Sequence, residues 1–499
     1  MGLGLHDTLL DRVIPLEPAE PGHVRLYVCG PTVYDNPHLG HMRSCIVYDV
    51  LVRHLRAQGL RVTYARNVTD VDDKILRRAR ELSEEPAVLA DRYTLAYREA
   101  TKRLFCLDPD LEPKVTDHLP EICALIERLL AKGAAYAVDG DVYFSVAAFA
   151  EYGKLSHRKL ADLDQGASGR VSDSETQRKR QPADFALWKS AKPDEPSWPS
   201  PWGPGRPGWH IECSAMCMKH LGDSCDVHGG GLDLVFPHHE NEIAQSEAVT
   251  GQPLARLWMH HGFIEVNKEK MSKSLGNFFT VRECFRVVEP EALRYFMLTT
   301  HYRSPLSLDW VEDASGEVTS FPQIEECERR VEYLYATKLR LASVPESRID
   351  RANDRVDAEV RAFGQRLRDV LDEDLNMPLA LGTLAELLKR VNDAVDIASR
   401  KQGKLGRAAR DAMQQAFAAV GRVLGLGLDD SQAFLTRVRA RRVANLGLSE
   451  SVIETKIEQR IAARKARDFA GADAIRDELL ALGVELMDAP TGTTWRLTH

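Results

Sequence analysis

The spacing of apolar residues changes several times along the chain, and each change marks a different kind of element. Val24–Val28 is a short, mostly apolar run that stops at Cys29-Gly30, as a buried strand would. After a loop reaching Gly40, apolar side chains at Ile46, Val47, Val50, Leu51 and Leu55 recur at three- and four-residue steps. That period predicts an amphipathic helix, with Gly59 as its stop. Arg61–Ala65 mixes β-branched and aromatic residues and reads as the next strand. A strand–helix–strand unit of this length pairs its strands in parallel, because the connection has to cross the sheet.

The pattern is then interrupted. Between residues 114 and 205 it offers a helix at Pro120–Lys132, a short strand at Asp141–Val146, and a polar stretch at Val171–Arg180 that suits a surface loop. Pro193–Pro207, dense in Pro, Gly and Trp, predicts a rigid extended loop. Strand character resumes near Asp226 and continues past Phe263. From about Phe321 the reading is helical, with apolar steps at Leu367, Val370, Leu371 and Leu375 and again at Leu384, Leu387, Leu388 and Val391. Hinges are expected at Pro345–Asp357 and Gly425–Ser431. The tail, Ser449–His499, combines a basic helix face with short strand-like pieces. The fold class is therefore α/β: a Rossmann-like parallel-sheet catalytic domain carrying an insertion, then an all-helical bundle and a small mixed C-terminal domain.

Bulk properties set limits on this picture. A chain of 499 residues exceeds what one hydrophobic core organises. Its 44% hydrophobic and 28% charged residues describe an ordinary globular protein. No run approaches the roughly 20 apolar residues of a membrane span, and Met1–Asp11 has no basic-then-apolar secretory pattern. Nine cysteines, an odd number spread over a long chain, do not read as a disulfide scaffold and point to a reducing, cytoplasmic setting. A net charge of −8 disfavours indiscriminate nucleic-acid binding, while leaving room for a local basic patch.

Two segments carry phosphate chemistry. His38-Leu39-Gly40-His41 falls at the expected start of the first helix, where free backbone N–H groups and the helix dipole favour an anion. Gly40 permits close approach, and two histidines three apart can reach one phosphate chain. Lys270-Met271-Ser272-Lys273-Ser274 places two ammonium groups on a loop suited to a triphosphate. Either segment alone is commonplace. Together they resemble the HIGH and KMSKS signatures of class I aminoacyl-tRNA synthetases. By that resemblance His38 and His41 contact ATP phosphates, and Lys270 and Lys273 stabilise the transition state at the α-phosphate.

Cys29, Cys213, His238 and Glu242 offer two thiols, an imidazole and a carboxylate, a sensible tetrahedral zinc set. His238 and Glu242, four apart, share a helix face. Taken alone, such residues are as often core cysteines and a helix ion pair. Their surroundings say more. Tyr27-Val28-Cys29-Gly30, Gly208-Trp209-His210-Ile211-Glu212-Cys213-Ser214-Ala215-Met216, and His228-Gly229-Gly230-Gly231 with Asp233–Glu242 resemble the cysteinyl-tRNA synthetase family nearly word for word.

That resemblance implies a zinc-dependent cysteine–tRNA ligase, with one Zn2+ per chain on Cys29, Cys213, His238 and Glu242 gripping the substrate sulfur. It implies ATP with Mg2+ as substrate and tRNA(Cys) and cysteine as partners, in a cytoplasmic monomer with no membrane association. Thr32, Thr69, Trp209 and Asp233 correspond to the cysteine pocket, Asp233 to the substrate ammonium. Gly40, His228, Gly229, Gly230, Gly231 and Lys273 correspond to the nucleotide site. The matching domains would be residues 1–113 and 206–255 (catalytic), 114–205 (insertion), 256–320 (stem contact, with the KMSKS loop), 321–440 (helical bundle) and 441–499 (anticodon binding). Arg437, Arg439, Arg441 and Arg442, the stripe Lys456, Arg460, Arg464 and Arg467, and Trp495 are the residues expected to meet RNA. Two other readings stay open: a related cysteine ligase with an amino-sugar acceptor in mycothiol synthesis, which resembles a synthetase shortened at its C-terminus, and an inactive RNA-binding paralogue.

Overall fold

The structure, a computed structural model, describes residues 2–159, 178–193, 195–266, 269–270, 279–489 and 492–498. After an antiparallel hairpin, β1 (Gly4–Asp7) and β2 (Arg12–Pro15), the chain enters a four-stranded parallel sheet. Its strands are β3 (His23–Val28), β4 (Arg61–Arg66), β9 (Val227–Gly231) and β10 (Trp258–His261), in the spatial order β10-β9-β3-β4. Helix α1 (Leu39–Ala57) makes the first crossover and buries Met42, Ile46, Val50 and Leu55. The α/β unit expected from the first third of the chain is present. Strand and helix limits move by one or two residues, as frayed ends do.

Two helices, α2 (Asp73–Leu82) and α3 (Pro86–Arg103), follow β4 and close a small core around Val33, Val68, Ile75 and Leu89. The interruption before β9 contains α4 (Leu119–Ala131) and an antiparallel sheet of β5 (Ala135–Val138), β6 (Asp141–Phe144), β7 (Phe185–Ser190) and β8 (Gly205–Pro207). The Pro- and Gly-rich stretch therefore ends as an edge strand and not wholly as loop. Proline at the end of an edge strand sacrifices no interior ladder bond. One continuous core joins Tyr27, Ala65 and Trp258 of the parallel sheet to Val142, Trp188 and Ile211, so the insertion shares the core of the sheet it interrupts.

Helix α5 (Trp209–Leu221) returns the chain to the sheet, and α6 (Glu240–Thr250) links β9 to β10. Beyond them, β11 (Ile264–Val266) lies between β12 (Glu269–Lys270) and β13 (Leu306–Ser307). The helices α7 (Val281–Val287) and α8 (Pro290–Leu298) come next, then α9 (Pro322–Ala342), α10 (Ala358–Asp372), α11 (Met377–Ser399) and α12 (Arg407–Leu424). Of the predicted apolar steps, Leu367, Leu371 and Leu375 are buried, as are Leu384, Leu387, Leu388 and Val391. A two-residue parallel pairing of Ile349–Asp350 with Leu405–Gly406 is the departure from an all-helical region.

The chain divides into two compact units: residues 1–331 with 346–426, and residues 332–345 with 427–499. The second contains α13 (Ser431–Asn445), α14 (Glu450–Lys465), α15 (Phe469–Ala481) and the hairpin β14 (Val484–Ala489) and β15 (Gly492–Leu497). These close over Val443, Ile453, Ile457, Leu479 and Val484.

Candidate active site and metal centre

The first unit brings the carboxyl ends of β3 and β9 together, the place where an open parallel sheet receives ligands. Beside them lies a cleft of about 340 Å³, lined by Cys29, Thr32, His38, His41, Trp209 and Asp233 among others. These residues come from separate stretches of sequence.

His38 caps α1, and the capping is reciprocal: the His41 N–H donates to His38 Nδ1 at 3.3 Å, and the His38 N–H donates to His41 Nδ1 at 3.4 Å. The two rings stack with centroids 3.5 Å apart. A histidine pair three apart thus orders the start of a helix whose dipole favours an anion there. His38 also bridges to Thr280, and the Val281 N–H donates to Pro37 at 2.9 Å. The backbone on the far side of residues 271–278 is thereby fastened to the first phosphate motif, while Lys270 ends β12 paired opposite Glu265. Lys273 lies outside the described residues. Arg43, buried one turn into α1, donates to the carbonyls of Phe263 and Ser304, each at 2.5 Å, and ties this helix to the β11 region.

Cys29, Cys213, His238 and Glu242 are all buried, and their ligand atoms lie within 4.8 Å of one another. Cys29 arrives at the end of β3, Cys213 on the second turn of α5, and His238 and Glu242 across the tight turn that opens α6. His238 Nε2 is 3.1 Å from Glu242 Oε1, and Cys29 Sγ is 3.4 Å from the same oxygen. Trp209 stacks on the His238 ring with centroids 4.3 Å apart. The hydrogen bond from Cys29 is the leading cause that lowers Cys213, to about 6, against the effect of burial. Burial would raise Glu242, but His228 and His238 hold it well below the usual carboxylate range. Its Oε2 has no hydrogen bond although it is fully enclosed. A thiolate-prone cysteine, an ionised carboxylate with an unsatisfied oxygen, and an imidazole, all with ligand atoms within 4.8 Å of one another, are a donor set whose chemistry fits a zinc ion.

A second set overlaps the first: Cys29, His228, His239 and Glu242 also converge. His228 Nε2 is 3.4 Å from Glu242 Oε2, and His239 Nε2 is 3.3 Å from Cys29 Sγ. The resemblance assigns His228 to the nucleotide site. Its side chain belongs to the donor cluster, because strand alternation turns it away from the cleft that Gly231 reaches. The glycine run likewise divides. A Cβ on Gly229 would sit 2.3 Å from the Tyr48 hydroxyl and one on Gly230 would sit 2.7 Å from Leu234, so these two serve internal packing. Gly231 alone of the three lines the cleft. Thr69 pairs through its backbone with Thr32, yet its hydroxyl donates to Glu212 at 3.2 Å below the cleft.

Several cleft residues have no motif to announce them. Lys74, with its ammonium 5.4 Å from the Tyr34 ring, and Tyr97, edge-on to His41, line the same space. They come from α2, α3 and the loop before α1, and no spacing rule links those positions. Near the C-terminus the basic residues meet acids of their own unit. Arg460 holds Asp488 through two bonds of 2.8 Å, Arg464 reaches Asp488 at 3.0 Å, and Lys456 reaches Glu478 at 2.7 Å. Trp495 packs on the small core, with the Arg439 guanidinium 5.2 Å from its ring.

Residues 15–318 match the family of tRNA synthetases class I (C) catalytic domain, and residues 366–429 match the DALR domain family. The chain is similar to the cysteine–tRNA ligase of Anaeromyxobacter dehalogenans (strain 2CP-C), with 50% identity over 509 residues and 100% of each chain covered. The cysteine–tRNA ligase of Alkalilimnicola ehrlichii is 48% identical over 499 residues, covering 99% of each. Among solved structures, Mycobacterium tuberculosis methionyl-tRNA synthetase in complex with methionyl-adenylate aligns with a TM-score of 0.58 at 17% identity, over 83% of this chain and 93% of that one. At that identity the likeness is one of fold.

Proposed function

The chain belongs to the cysteine–tRNA ligase family of class I tRNA synthetases, and from that premise we propose that it activates cysteine with ATP and transfers it to the 3' end of tRNA(Cys). The observation that carries this reading is one cleft lined by His38 and His41 of the phosphate motif and by Cys29, whose thiol belongs to the buried donor set with Cys213, His238 and Glu242. The amino-sugar alternative expects a chain shortened at its C-terminus, whereas the likeness to cysteine–tRNA ligases extends over the full length.

Cys29, Cys213, His238 and Glu242 would hold the zinc, which would supply a borderline-soft Lewis acid with a strong preference for a thiolate over a hydroxyl and so a means of separating cysteine from serine without an editing domain. The remaining work falls to side chains. Asp233 offers the substrate ammonium a counter-charge at the cleft mouth. Trp209 walls the pocket beside His238. The first turn of α1, with His38 and His41, receives the triphosphate, which enters with magnesium, and Gly231 leaves room for the nucleoside. The cysteine carboxylate attacks the α-phosphate in line, pyrophosphate leaves, and Lys270 and Lys273 stabilise the charge that develops. A terminal ribose hydroxyl of the tRNA then takes the cysteinyl group from the adenylate. Residues 256–320 are assigned to the acceptor stem, residues 321–440 to the helical bundle and residues 441–499 to the anticodon, in a cytoplasmic monomer. No helix among the described residues is long and apolar enough to cross a membrane.

Elemental analysis joined to cysteine-dependent pyrophosphate exchange tests the proposal. Wild type should hold one zinc per chain and exchange with cysteine but not serine. Cys213→Ser should lose both metal and exchange. Full exchange by a metal-free preparation would sink it.

A further inference from the structure

In the insertion, Lys189 of β7 and Arg206 of β8 stand directly opposite each other across the antiparallel ladder. Like charges at such a pairing repel, and here the side chains are only 14% and 6% exposed, so water screens them poorly. The carboxylate of Asp73, at the first position of α2, joins both. One oxygen is 3.1 Å from Lys189 Nζ and the other bonds Arg206. Arg206 has a second, longer contact of 3.6 Å with Glu195, which also pairs with Arg80 of α2. Burial works against ionisation of Asp73, yet the two cations hold its carboxyl below the usual range.

The two arms that meet at this cluster lead to the pocket. Asp73 is four residues past Thr69, whose N–H is fixed to the Pro31 carbonyl at 3.1 Å, and the side chain of Asp72 caps α2 by accepting from Lys74. Arg206 is three residues before Trp209, and between them the Gly208 N–H donates to Leu187 at 2.8 Å. A Cβ on Gly208 would lie 2.0 Å from the Ala186 carbonyl, so this segment moves only with β7. A small cavity of about 40 Å³ beside the cluster is lined by Asp73, Lys189, Arg206 and Trp209 among others.

We propose that Asp73 is a positioning residue for cysteine activation: by clamping the Lys189–Arg206 pair, it sets where Trp209 stands beside the metal donors. The inference rests on the reading that Trp209 walls the cysteine pocket. Removing the carboxylate charge takes away the group that bridges both cations to α2 and leaves Arg206 its longer Glu195 contact, so β7 and β8, with the start of α5 held to β7 at Gly208, shift together relative to α2.

Asp73→Asn and Asp73→Glu, made in the full-length zinc-loaded protein, test it. Asp73→Asn should raise the KM for cysteine about tenfold while the KM for ATP stays within about twofold. Zinc content should hold, and Asp73→Glu should recover most of the loss. Backbone amide exchange across residues 205–209 should quicken in Asp73→Asn by about tenfold. An unchanged cysteine KM, a parallel rise in both KM values, or unaltered exchange at 205–209 would each overturn the proposal. Were wild type itself unable to exchange pyrophosphate with cysteine, the assigned function would fail, and the amide measurement would still decide the clamp.

Discussion

Glu242 shows how far a single residue's chemistry depends on what surrounds it. Alone it is a helical carboxylate four residues from a histidine, a pairing met on countless surfaces. Enclosed with His228 and His238 it is locked in its charged form, with an oxygen lacking any hydrogen bond, the condition in which a cation is favoured. Lys273 is the opposite case, because its role rests on its motif alone. Replacing it with alanine should lower the maximal rate of cysteine-dependent pyrophosphate exchange by about 10²–10³-fold, the scale for losing one preorganised charge at a transition state. The cysteine KM should change far less. Equal effects on rate and KM would show that Lys273 holds substrate and does not act in the chemical step. The donor residues Cys29, Cys213, His238 and Glu242 were legible as a set of zinc-compatible types in a familiar wording. The nearness of His228 and His239 was not, because strand direction and the turn into α6 bring those rings around.

At the scale of elements, period and punctuation predicted β3, α1 and β4 closely, since an apolar run buried on both faces, a helical apolar stripe and a β-branched and aromatic strand each carry a local signal. The β7–β8 ribbon was harder to see. Its second strand is three residues long, ends in proline, and carries an arginine whose partners, Asp73 and Glu195, lie far from it in sequence or outside the strand. Gly208 makes the junction of β8 and α5 possible, with no room for a side chain against Ala186. Gly208→Ala should destabilise the protein by about 1–3 kcal/mol, seen as a lower thermal midpoint. A midpoint equal to wild type would mean that the ribbon yields freely at this contact. The basic stripe of α14 teaches a related caution. Helical spacing aligns Lys456, Arg460 and Arg464, but much of that charge is matched by Glu478 and Asp488 of the same unit.

For the whole molecule, every cleft residue named above belongs to the unit of residues 1–331 and 346–426. Ending the chain after Asn445 should therefore preserve cysteine-dependent pyrophosphate exchange and abolish most cysteinylation of tRNA, read by a filter assay. Loss of exchange along with charging would assign the removed residues to activation itself. The sequence by itself determined the α/β class, the order of its parts, and the residue types that serve phosphate and zinc, because strand and helix periods and side-chain chemistry are local properties. Tertiary structure alone decided which nitrogen faces which sulfur, that Gly229 and Gly230 pack inward while Gly231 opens to the cleft, and that Asp73 meets Lys189 and Arg206 from more than a hundred residues away. Such juxtapositions arise when the sheet and its insertion close on a shared core, and no spacing along a chain encodes them directly.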